Sequence, residues 1–362
     1  MRVGLNISAA SGKFTGVGNY ALQLARTIAS VAPEDEWILF GANTELARFL
    51  DRNNVRPVTT ERTGLARILW EQAGLLLEAR RERIDLLHGV DFSRPLAYGG
   101  RMVNTIHDLS PFADGQYIPP PRRAYVKALM RYAARRSLAV ITVSEFSRRE
   151  IIERFCVNED RVFAIAHGVI TNGNGAERSK SGPPFLLFVG NLEHRKNLVR
   201  LIEAFRRLRD RRRIAHRLVL CGKPGHGWGN IQAAIEKEGV QKAIDLPGFV
   251  SNEELAKLYR SADLFVFPSV YEGFGLPVLE AMACGTPVAC SNATSLPEVG
   301  GGAVEYFDPY SVEDMEDAIE RVLDSPDRQA EMRENGLRQA ARFTWEECAR
   351  KHVEVYRRVL VS

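Results

Sequence analysis

The sequence predicts an α/β fold made of two domains, each built on a doubly wound parallel sheet. Apolar β-rich runs alternate with helix-period runs along nearly the whole chain, a pattern typical of parallel sheets covered by helices on both faces. A polar segment at 170–184, rich in glycine and serine, interrupts this alternation and predicts a linker. At 362 residues the chain also exceeds what one hydrophobic core usually supports, so two domains are expected.

Periodicity places the elements of the first half. Ser147-Arg-Arg-Glu150 predicts a capping-box start for the last helix of this half. The expected strands are 2–8, 37–42, 85–90, 101–108, 138–144 and 161–169, and the expected helices are about 17–30, 65–81, 120–137 and 147–156.

The alternation restarts after the linker. In doubly wound sheets ligands bind beyond the carboxyl ends of the strands, so a cleft between the two domains is the expected substrate site. The expected strands lie near 185–190, 217–222, 243–248, 264–268, 287–291 and 303–307. The predicted organisation is a first domain at 1–169, the linker at 170–184, a second domain at 185–343 and a final helix at 344–362.

Composition narrows the class of protein. Apolar residues make up 45% and charged residues 26% of the chain, as in ordinary globular proteins, and the net charge of +4 does not by itself indicate a nucleic-acid partner. No apolar run reaches the about 18 residues of a membrane span. The N-terminus enters a strand pattern and does not resemble a secretory signal. The five cysteines lack metal-ligand spacing, which favours reduced thiols in the cytoplasm.

The most informative segment runs from Pro268 to Pro287, where a strand ends in a glycine-containing turn that opens onto a short helix. Backbone N–H groups at Gly275 and Leu276 are placed to meet phosphate oxygens at the positive end of that helix. Glu272 and Glu280, eight residues apart, can accept hydrogen bonds from hydroxyl pairs on either side. A ligand with an anionic centre and hydroxyl-rich ends has the shape of a nucleotide-sugar, so the segment indicates sugar transfer.

A second loop brings two cations to the start of a helix. Arg195 and Lys196 follow a predicted strand that ends at Gly190. Cations at a helix start act against the helix macrodipole, so their presence there indicates an anionic ligand. A solvated surface pair is the alternative interpretation.

Two glycines and a histidine follow strands in the first domain. Gly16 and Gly18 lie between the first strand and the first helix, where glycine lets the backbone approach a ligand closely. A tight strand-to-helix turn explains them equally well. His107 and Asp108 end a strand at the edge where the cleft is expected, and a structural role is the alternative.

Arginine is concentrated in two helical segments. The segment at 206–213 is interpreted as a solvated helix end, because its positive charge suits the macrodipole. The other segment suits either an anionic membrane surface or a solvated helix face. Its cations recur every four residues, at Arg123, Lys127, Arg131 and Arg135.

Taken together, these motifs resemble the retaining nucleotide-sugar glycosyltransferases of family 4, which have the GT-B fold. The resemblance covers essentially the whole chain. It implies two Rossmann-like domains facing across a cleft, with the C-terminal helix crossing back to the N-terminal domain. It is carried by Glu272-Gly-Phe-Gly-Leu-Pro-Val-Leu-Glu280, Val189-Gly-Asn-Leu-Glu-His-Arg-Lys-Asn197, Pro247-Gly-Phe-Val250, Ser295-Leu-Pro-Glu298 and Phe343-Thr-Trp345.

The resemblance also implies roles for single residues. Glu280 would accept the ribose hydroxyls, and Glu272 would face the hydroxyls of the transferred sugar. Arg195 and Lys196 would hold the diphosphate, the more so because Asn191 stands where some members have an arginine. The other implied donor contacts are the backbone of Phe274, Gly275 and Leu276, Gly190 at the strand end, the Val250 backbone at the base, His107 beside the donor sugar, and Gly16 and Gly18 near the phosphates.

The implied activity is the retaining transfer of a hexose. The run at 189–197 is similar to bacterial polysaccharide mannosyltransferases, so mannose from GDP-mannose is the expected donor, with a UDP-sugar as the alternative. The acceptor would be a saccharide or a lipid-linked glycan in the synthesis of a surface polysaccharide such as lipopolysaccharide. The sequence contains no Asp-x-Asp motif, so we expect transfer without a metal and without any other cofactor.

Two other classes of protein compete with this interpretation. A sugar-nucleotide epimerase shares the two-domain architecture, but the paired glutamates argue against it. A non-catalytic binder of nucleotide-sugars or nucleic acid could use the arginines, although nucleic acid is not the partner we expect. The expected location is the cytoplasm, and peripheral contact with the inner face of an anionic membrane is a hypothesis.

Overall fold

The computed structural model describes residues 1–8, 16–42, 53–60, 62, 64–113, 120–170, 182–212 and 214–361, without the side chains at 120–122. The chain divides into two compact units. One comprises Met1–Phe112, Pro120–Gly168 and Thr344–Ser362, and the other is mainly Val169–Phe343. Most of the predicted linker at 170–184, and residues 9–15 between the first strand and Gly16, lie outside the described residues.

The first unit has a seven-stranded parallel sheet with the order β3-β2-β1-β4-β5-β6-β7. Successive strand residues enter opposite core clusters, as Met102 and Val103 do, because side chains alternate across a strand. Its strands are β1 (Arg2–Asn6), β2 (Glu36–Ala42), β3 (Val55–Thr59), β4 (Leu86–Gly89), β5 (Met102–Thr105), β6 (Ala139–Thr142) and β7 (Val162–Ala164). Its helices are α1 (Gly16–Val31), α2 (Gly64–Leu69), α3 (Leu75–Arg81), α4 (Pro120–Arg136), α5 (Glu145–Phe155) and α13 (Trp345–Val361).

The second unit has a six-stranded parallel sheet with the order β10-β9-β8-β11-β12-β13. Its strands are β8 (Phe185–Val189), β9 (Arg217–Cys221), β10 (Ile244–Gly248), β11 (Leu264–Phe267), β12 (Val288–Ser291) and β13 (Glu305–Phe307). Its helices are α6 (Leu198–Arg212), α7 (Trp228–Lys237), α8 (Asn252–Ser261), α9 (Leu276–Ala283), α10 (Leu296–Gly300), α11 (Val312–Leu323) and α12 (Pro326–Ala340).

Three local predictions for the first unit are wrong. The edge strand β3 was not predicted, because Arg56 and Pro57 break its apolar pattern. The helix expected at 65–81 is interrupted by a π-helical turn at Trp70–Gly74, where a Cβ on residue 74 would lie 2.3 Å from the Trp70 ring. Helix α5 begins before the predicted capping box, because the extended Ser144 precedes it and accepts a hydrogen bond from the Ser147 amide at 3.1 Å.

The last helix, α13, belongs to the first unit and packs with α1 into the main core cluster of that unit. Cys348, His352 and Tyr356 lie four residues apart on one buried face of this helix. Nδ1 of His352 lies 2.7 Å from the Cys348 carbonyl oxygen, which can only accept, so Nδ1 carries a proton. Burial lowers the pKa of His352 to about 4, so its ring is neutral at pH 7. Nε2 is therefore an acceptor, and the Tyr20 hydroxyl at 2.8 Å donates to it.

This one carbonyl orders a longer chain of hydrogen bonds. Because Tyr20 donates its hydroxyl proton to His352, the Thr105 hydroxyl at 3.0 Å must donate to the Tyr20 oxygen. Nε2 of His88 must then donate to Thr105 at 2.8 Å, which leaves Nδ1 as the acceptor for the Tyr356 hydroxyl at 2.6 Å. Each buried proton has one consistent position, so the network fixes α13 to the sheet and to α1 in a single arrangement.

Among the described helices, none combines the length and the apolar character needed to cross a bilayer.

We expect Tyr356→Phe to lower the free energy of unfolding of the first unit by roughly 1–3 kcal/mol, because it leaves the buried Nδ1 of His88 without a donor. Tyr125→Phe is the matched control, since Tyr125 is 50% exposed in the same unit. Urea denaturation of both variants measures the difference. Equal stability of the two variants would contradict the ordered network.

Candidate functional site

The strand order of the second unit locates its ligand site. Reading outwards, the order reverses between β8 and β11, and ligands of doubly wound sheets bind beyond the carboxyl ends of the strands at such a switch point. The loop after β8 carries Arg195 and Lys196, and the loop after β11 carries Glu272. The predicted anion-binding residues therefore follow the two strands that flank the switch point.

The loop after β8 is held against the chain that follows β9. The Gly190 amide donates to the Cys221 carbonyl at 3.0 Å, and the Leu192 amide donates to the Lys223 carbonyl at 2.8 Å. The close approach of these two segments requires glycine at position 222, because its φ is +154° and a Cβ there would lie 1.9 Å from the Gly190 carbonyl oxygen. The backbone is thus fixed before it turns through the short 3₁₀ segment His194–Lys196 that presents the cations.

The loop after β11 is fixed by hydroxyl groups. The Ser295 hydroxyl lies 2.9 Å from the Glu272 carbonyl oxygen and 2.8 Å from that of Phe274. Gly275, with a φ of +118°, then begins helix α9, and its carbonyl accepts from the Val278 amide at 3.0 Å. A bond of 3.0 Å from the Val270 amide to the Arg195 carbonyl joins the two loops.

Glu272 is the centre of an ionic cluster between the loops. Its carboxylate accepts from Arg195 Nη1 at 2.9 Å, from Lys196 Nζ, and from the Ser269 hydroxyl at 2.5 Å. Lys196 is only 5% exposed. Burial would raise the pKa of Glu272, but the two cations and the serine more than offset this effect and hold the pKa at about 2. Glu272 is therefore an anion at every physiological pH.

A second carboxylate contacts the same arginine. Nε of Arg195 lies 2.7 Å from Oε1 of Glu193, so the cluster contains two cations and two carboxylates. The charges of these four side chains balance. In the part of the chain that the structure describes, no group of three or more histidine, cysteine or acidic side chains is arranged to hold a metal ion.

Glu280 lies in helix α9 in a different environment. The Tyr259 hydroxyl donates to Oε2 of Glu280 at 3.0 Å, and no cation of the described residues pairs with this carboxylate. Burial raises the pKa of Glu280 to about 7, against the opposing effect of the tyrosine hydrogen bond. The two glutamates of one sequence motif therefore differ in charge behaviour near neutral pH.

The structure brings Arg195, Lys196 and Glu272 into direct contact. Phe274 is buried, and its ring packs edge-on to Phe343 at 6.0 Å. Most of the other predicted donor-binding residues of the second unit lie next to the end of a strand or helix. Gly190 follows β8, Val250 follows β10, and Gly275 and Leu276 stand at the start of α9. Glu280 lies further along α9.

Three predicted residues belong to the first unit. Gly16 is exposed at the start of α1, where a Cβ would meet nothing within 4 Å, and Gly18 is buried in the same helix. His107 Nε2 lies 2.9 Å from the Val90 carbonyl oxygen, to which it donates. Burial lowers the pKa of His107, so the ring is neutral at pH 7 and its Nδ1 is an acceptor.

Sequence reasoning assigned no role to Ser269, Ser295, Glu193 or Tyr259, although Ser295 and Glu193 stand in motifs that carry the family resemblance. Ser269 directly follows Pro268 at the end of a buried strand, which is a signal that could have been used. Ser295 and Tyr259 lie 21 or more residues along the chain from the carbonyl or carboxylate that each contacts. Only the tertiary structure brings these hydroxyl groups to the motif.

Comparisons with known proteins fit this geometry. Residues 14–172 match the family model described as Glycosyltransferase Family 4, and residues 172–339 match Glycosyl transferases group 1. O-antigen chain mannosyltransferase B of Escherichia coli is 31% identical over 366 residues, which cover 95% of this chain and 96% of that protein.

Solved structures agree on the fold. Sucrose-phosphate synthase of Thermosynechococcus elongatus has a TM-score of 0.76 at 20% identity and covers 100% of this chain and 99% of its own. Anabaena HepE in complex with UDP-glucose has a TM-score of 0.75 at 18% identity and covers 98% of this chain and 99% of its own. The architecture is that of the GT-B glycosyltransferases, which confirms the predicted fold class. The chain belongs to glycosyltransferase family 4, as the sequence motifs indicated.

We expect Glu272→Gln to destabilise the second unit by roughly 3–5 kcal/mol, because the buried Lys196 loses its counter-charge. Glu280→Gln should preserve stability or raise it at pH 7, since burial raises the pKa of this carboxyl to about 7 and no described cation pairs with it. Melting curves without ligand compare the two variants. Losses of similar size would show that the ionic cluster does not stabilise the loops.

Proposed function

We propose that the protein is a retaining mannosyltransferase that moves mannose from GDP-mannose to a saccharide or lipid-linked acceptor in surface polysaccharide synthesis. The observation that supports this proposal most directly is the Arg195–Lys196–Glu272 cluster after the two strands at the switch point of the second unit. The family supplies the reaction class, and the cluster supplies the chemistry that a nucleoside diphosphate leaving group needs.

Each group has a role that follows from its chemistry. Arg195 and Lys196 stabilise the negative charge that grows on the diphosphate as the sugar leaves. The amides at the start of α9, at Gly275 and Leu276, add the positive end of a helix to the same charge. Glu280 accepts the ribose hydroxyls, and Glu272 accepts sugar hydroxyls with the lone pairs that the cations leave free.

Retention follows from a same-face exchange at the anomeric carbon. The bond from C1 to the diphosphate oxygen breaks through an oxocarbenium-like state, and a new bond forms from C1 to the acceptor oxygen on the same face. The proton of the acceptor hydroxyl passes to the departing phosphate oxygen. Glu272 serves binding and not covalent attack, because two cations and Ser269 stabilise its negative charge and so make it a poor nucleophile.

We assign the reaction no metal, because two fixed cations carry the charge stabilisation for which other transferases use Mg²⁺. His107 is assigned to the donor sugar, with its neutral ring accepting a hydroxyl hydrogen bond at Nδ1. No other cofactor is part of the proposal.

The identity of the proposed sugar donor is inferred from the printed names of similar proteins. The printed name of the E. coli relative is that of a mannosyltransferase of O-antigen, which supports mannose and a polysaccharide product. The Anabaena protein binds UDP-glucose, which favours a UDP-sugar as the second candidate donor.

We expect GDP to raise the melting temperature more than UDP, ADP or dTDP at equal concentration, since a ligand that binds the folded form at 100 times its Kd stabilises it by about 2.7 kcal/mol. With GDP-mannose and an oligomannose acceptor, the product should keep the α configuration in NMR spectra, and EDTA should leave the rate unchanged.

The variant Glu305→Gln should show the same nucleotide shifts as the unchanged protein, because Glu305 is ion-paired but lies at the amino end of the edge strand β13, away from the carboxyl ends of β8 and β11. A larger shift with UDP would move the proposal to the second donor. No shift with any nucleotide, or inversion at C1, would contradict the proposed reaction.

Peripheral membrane contact is also part of the proposal, and ion pairing distinguishes the two arginine-rich helices. In α6, four arginines pair with carboxylates: Arg206, Arg207, Arg211 and Arg212. Helix α4 contains no acidic residue, and its basic side chains at 123, 127, 131 and 135 form no ion pair with any described residue. A helix face of uncompensated positive charge suits anionic lipid headgroups at the cytoplasmic leaflet.

We expect the protein to float with vesicles that contain phosphatidylglycerol and not with pure phosphatidylcholine. Each basic residue near an anionic surface contributes about 1 kcal/mol, so the triple change Arg123→Gln, Lys127→Gln and Arg131→Gln should weaken binding on the order of 100-fold.

The matched control removes the same charge from α6 with Arg207→Gln, Arg211→Gln and Arg212→Gln. An equal loss of vesicle binding in both triple variants would contradict the proposal that α4 contacts the membrane. The absence of flotation with either kind of vesicle would contradict it as well.

A further inference from the structure

Tyr259 is a buried residue whose polar end reaches the proposed ribose carboxylate. Its side chain lies in α8 and is 2% exposed, and its hydroxyl donates to Oε2 of Glu280 at 3.0 Å. A buried tyrosine hydroxyl without a partner is unfavourable, so this contact is enforced by the core as well as by the site. No other described side chain donates a hydrogen bond to this carboxylate.

The tyrosine is held on rigid elements. Its ring packs edge-on to Phe265 of β11, with centroids 5.5 Å apart. Its backbone carbonyl accepts from the Thr286 hydroxyl at 2.6 Å, and α8 begins with a capping box formed by Ser251 and Glu254. The hydroxyl therefore has a fixed position from which to orient a neighbouring carboxylate.

The protonation states of the two side chains decide which of them donates this hydrogen bond: Tyr259 keeps its proton and donates to the ionised carboxylate of Glu280. Burial, and then the negative charge of Glu280, raise the pKa of Tyr259 well above its usual value, so the hydroxyl remains a donor across the whole working range of pH. Burial favours the protonated form of Glu280, whereas the donated hydrogen bond favours the ionised form. The ionised form is the one that can accept two hydroxyl hydrogen bonds from a ribose.

We propose that Tyr259 is a positioning residue for nucleotide recognition: its hydroxyl orients the Glu280 carboxylate so that the remaining lone pairs accept the 2′- and 3′-hydroxyls of the donor ribose. The inference rests on the proposed function of Glu280. Glu272 needs no such residue, because Arg195 and Lys196 already fix its charge and orientation.

The test is Tyr259→Phe, with GDP affinity measured by titration calorimetry between pH 6 and pH 9. We expect Kd at pH 7 to rise about 5- to 10-fold and kcat to change less than about 2-fold, so that the loss appears in KM. The midpoint of the pH dependence should move upward, because the group that lowered the pKa of Glu280 is gone. The difference from the wild type should shrink towards pH 9, where Glu280 is ionised in both proteins.

Two comparisons separate this role from a structural one. Tyr306→Phe removes another partly buried hydroxyl from the same unit, which donates to the Gly301 carbonyl at 2.9 Å, and should leave GDP binding unchanged. Glu280→Gln records the pH dependence that comes from the phosphate groups of GDP alone. In the Glu280→Gln background, Tyr259→Phe should have no further effect on Kd, whatever it does to stability.

The variants distinguish an error in the ribose contact, an error in the positioning role and an effect through the fold. If Glu280→Gln binds GDP normally, the proposed ribose contact is wrong. If Glu280→Gln binds weakly but Tyr259→Phe matches Tyr306→Phe, the ribose contact holds and the positioning role is wrong. A loss from Tyr259→Phe that persists undiminished in the Glu280→Gln background would show that the tyrosine acts through the fold and not through Glu280.

Discussion

The arrangement of the second unit depends on the ion cluster of Glu272 with Arg195 and Lys196. A nearly buried lysine without a counter-charge would destabilise the fold. Glu272 provides that counter-charge from the facing loop, so the same contact joins the two loops and balances the charge of the lysine. The hydroxyls of Ser269 and Ser295 hold the glutamate and its turn in place. In the proposed function, the cations that join the two loops are the same ones that would bind the diphosphate.

The two glutamates of the motif show how environment divides one residue type between two tasks. Two cations hold the pKa of Glu272 at about 2, whereas burial without a cation raises that of Glu280 to about 7. An always-ionised carboxylate suits a position among fixed positive charges. A carboxylate near its titration midpoint needs a donor such as Tyr259 to remain an acceptor at neutral pH.

The sequence was sufficient for the fold class, and it singled out Arg195, Lys196 and Glu272 as candidate site residues. It did not predict the ion pairs between them, because the paired residues lie 76 or more residues apart in the chain. It was not sufficient where structure depends on neighbours distant in the chain. Strand β3 contains an arginine and a proline and pairs only at the sheet edge, so it has no apolar pattern to find. Tyr259 belongs to an ordinary amphipathic helix, and only the packing of α8 beside α9 brings its hydroxyl to Glu280.

The first unit shows that the fold alone does not decide what a switch point binds. Its strand order reverses between β1 and β4, as the second sheet does between β8 and β11. Near the carboxyl ends of β1 and β4 it places Glu71 and Asp91, with the Ser8 hydroxyl donating to Glu71 at 2.5 Å. Burial and the nearby Asp91 raise the pKa of Glu71 to about 7, the reverse of the effect on Glu272. The second unit instead places Arg195 and Lys196 beside Glu272, so the side chains, and not the topology, distinguish the two switch points.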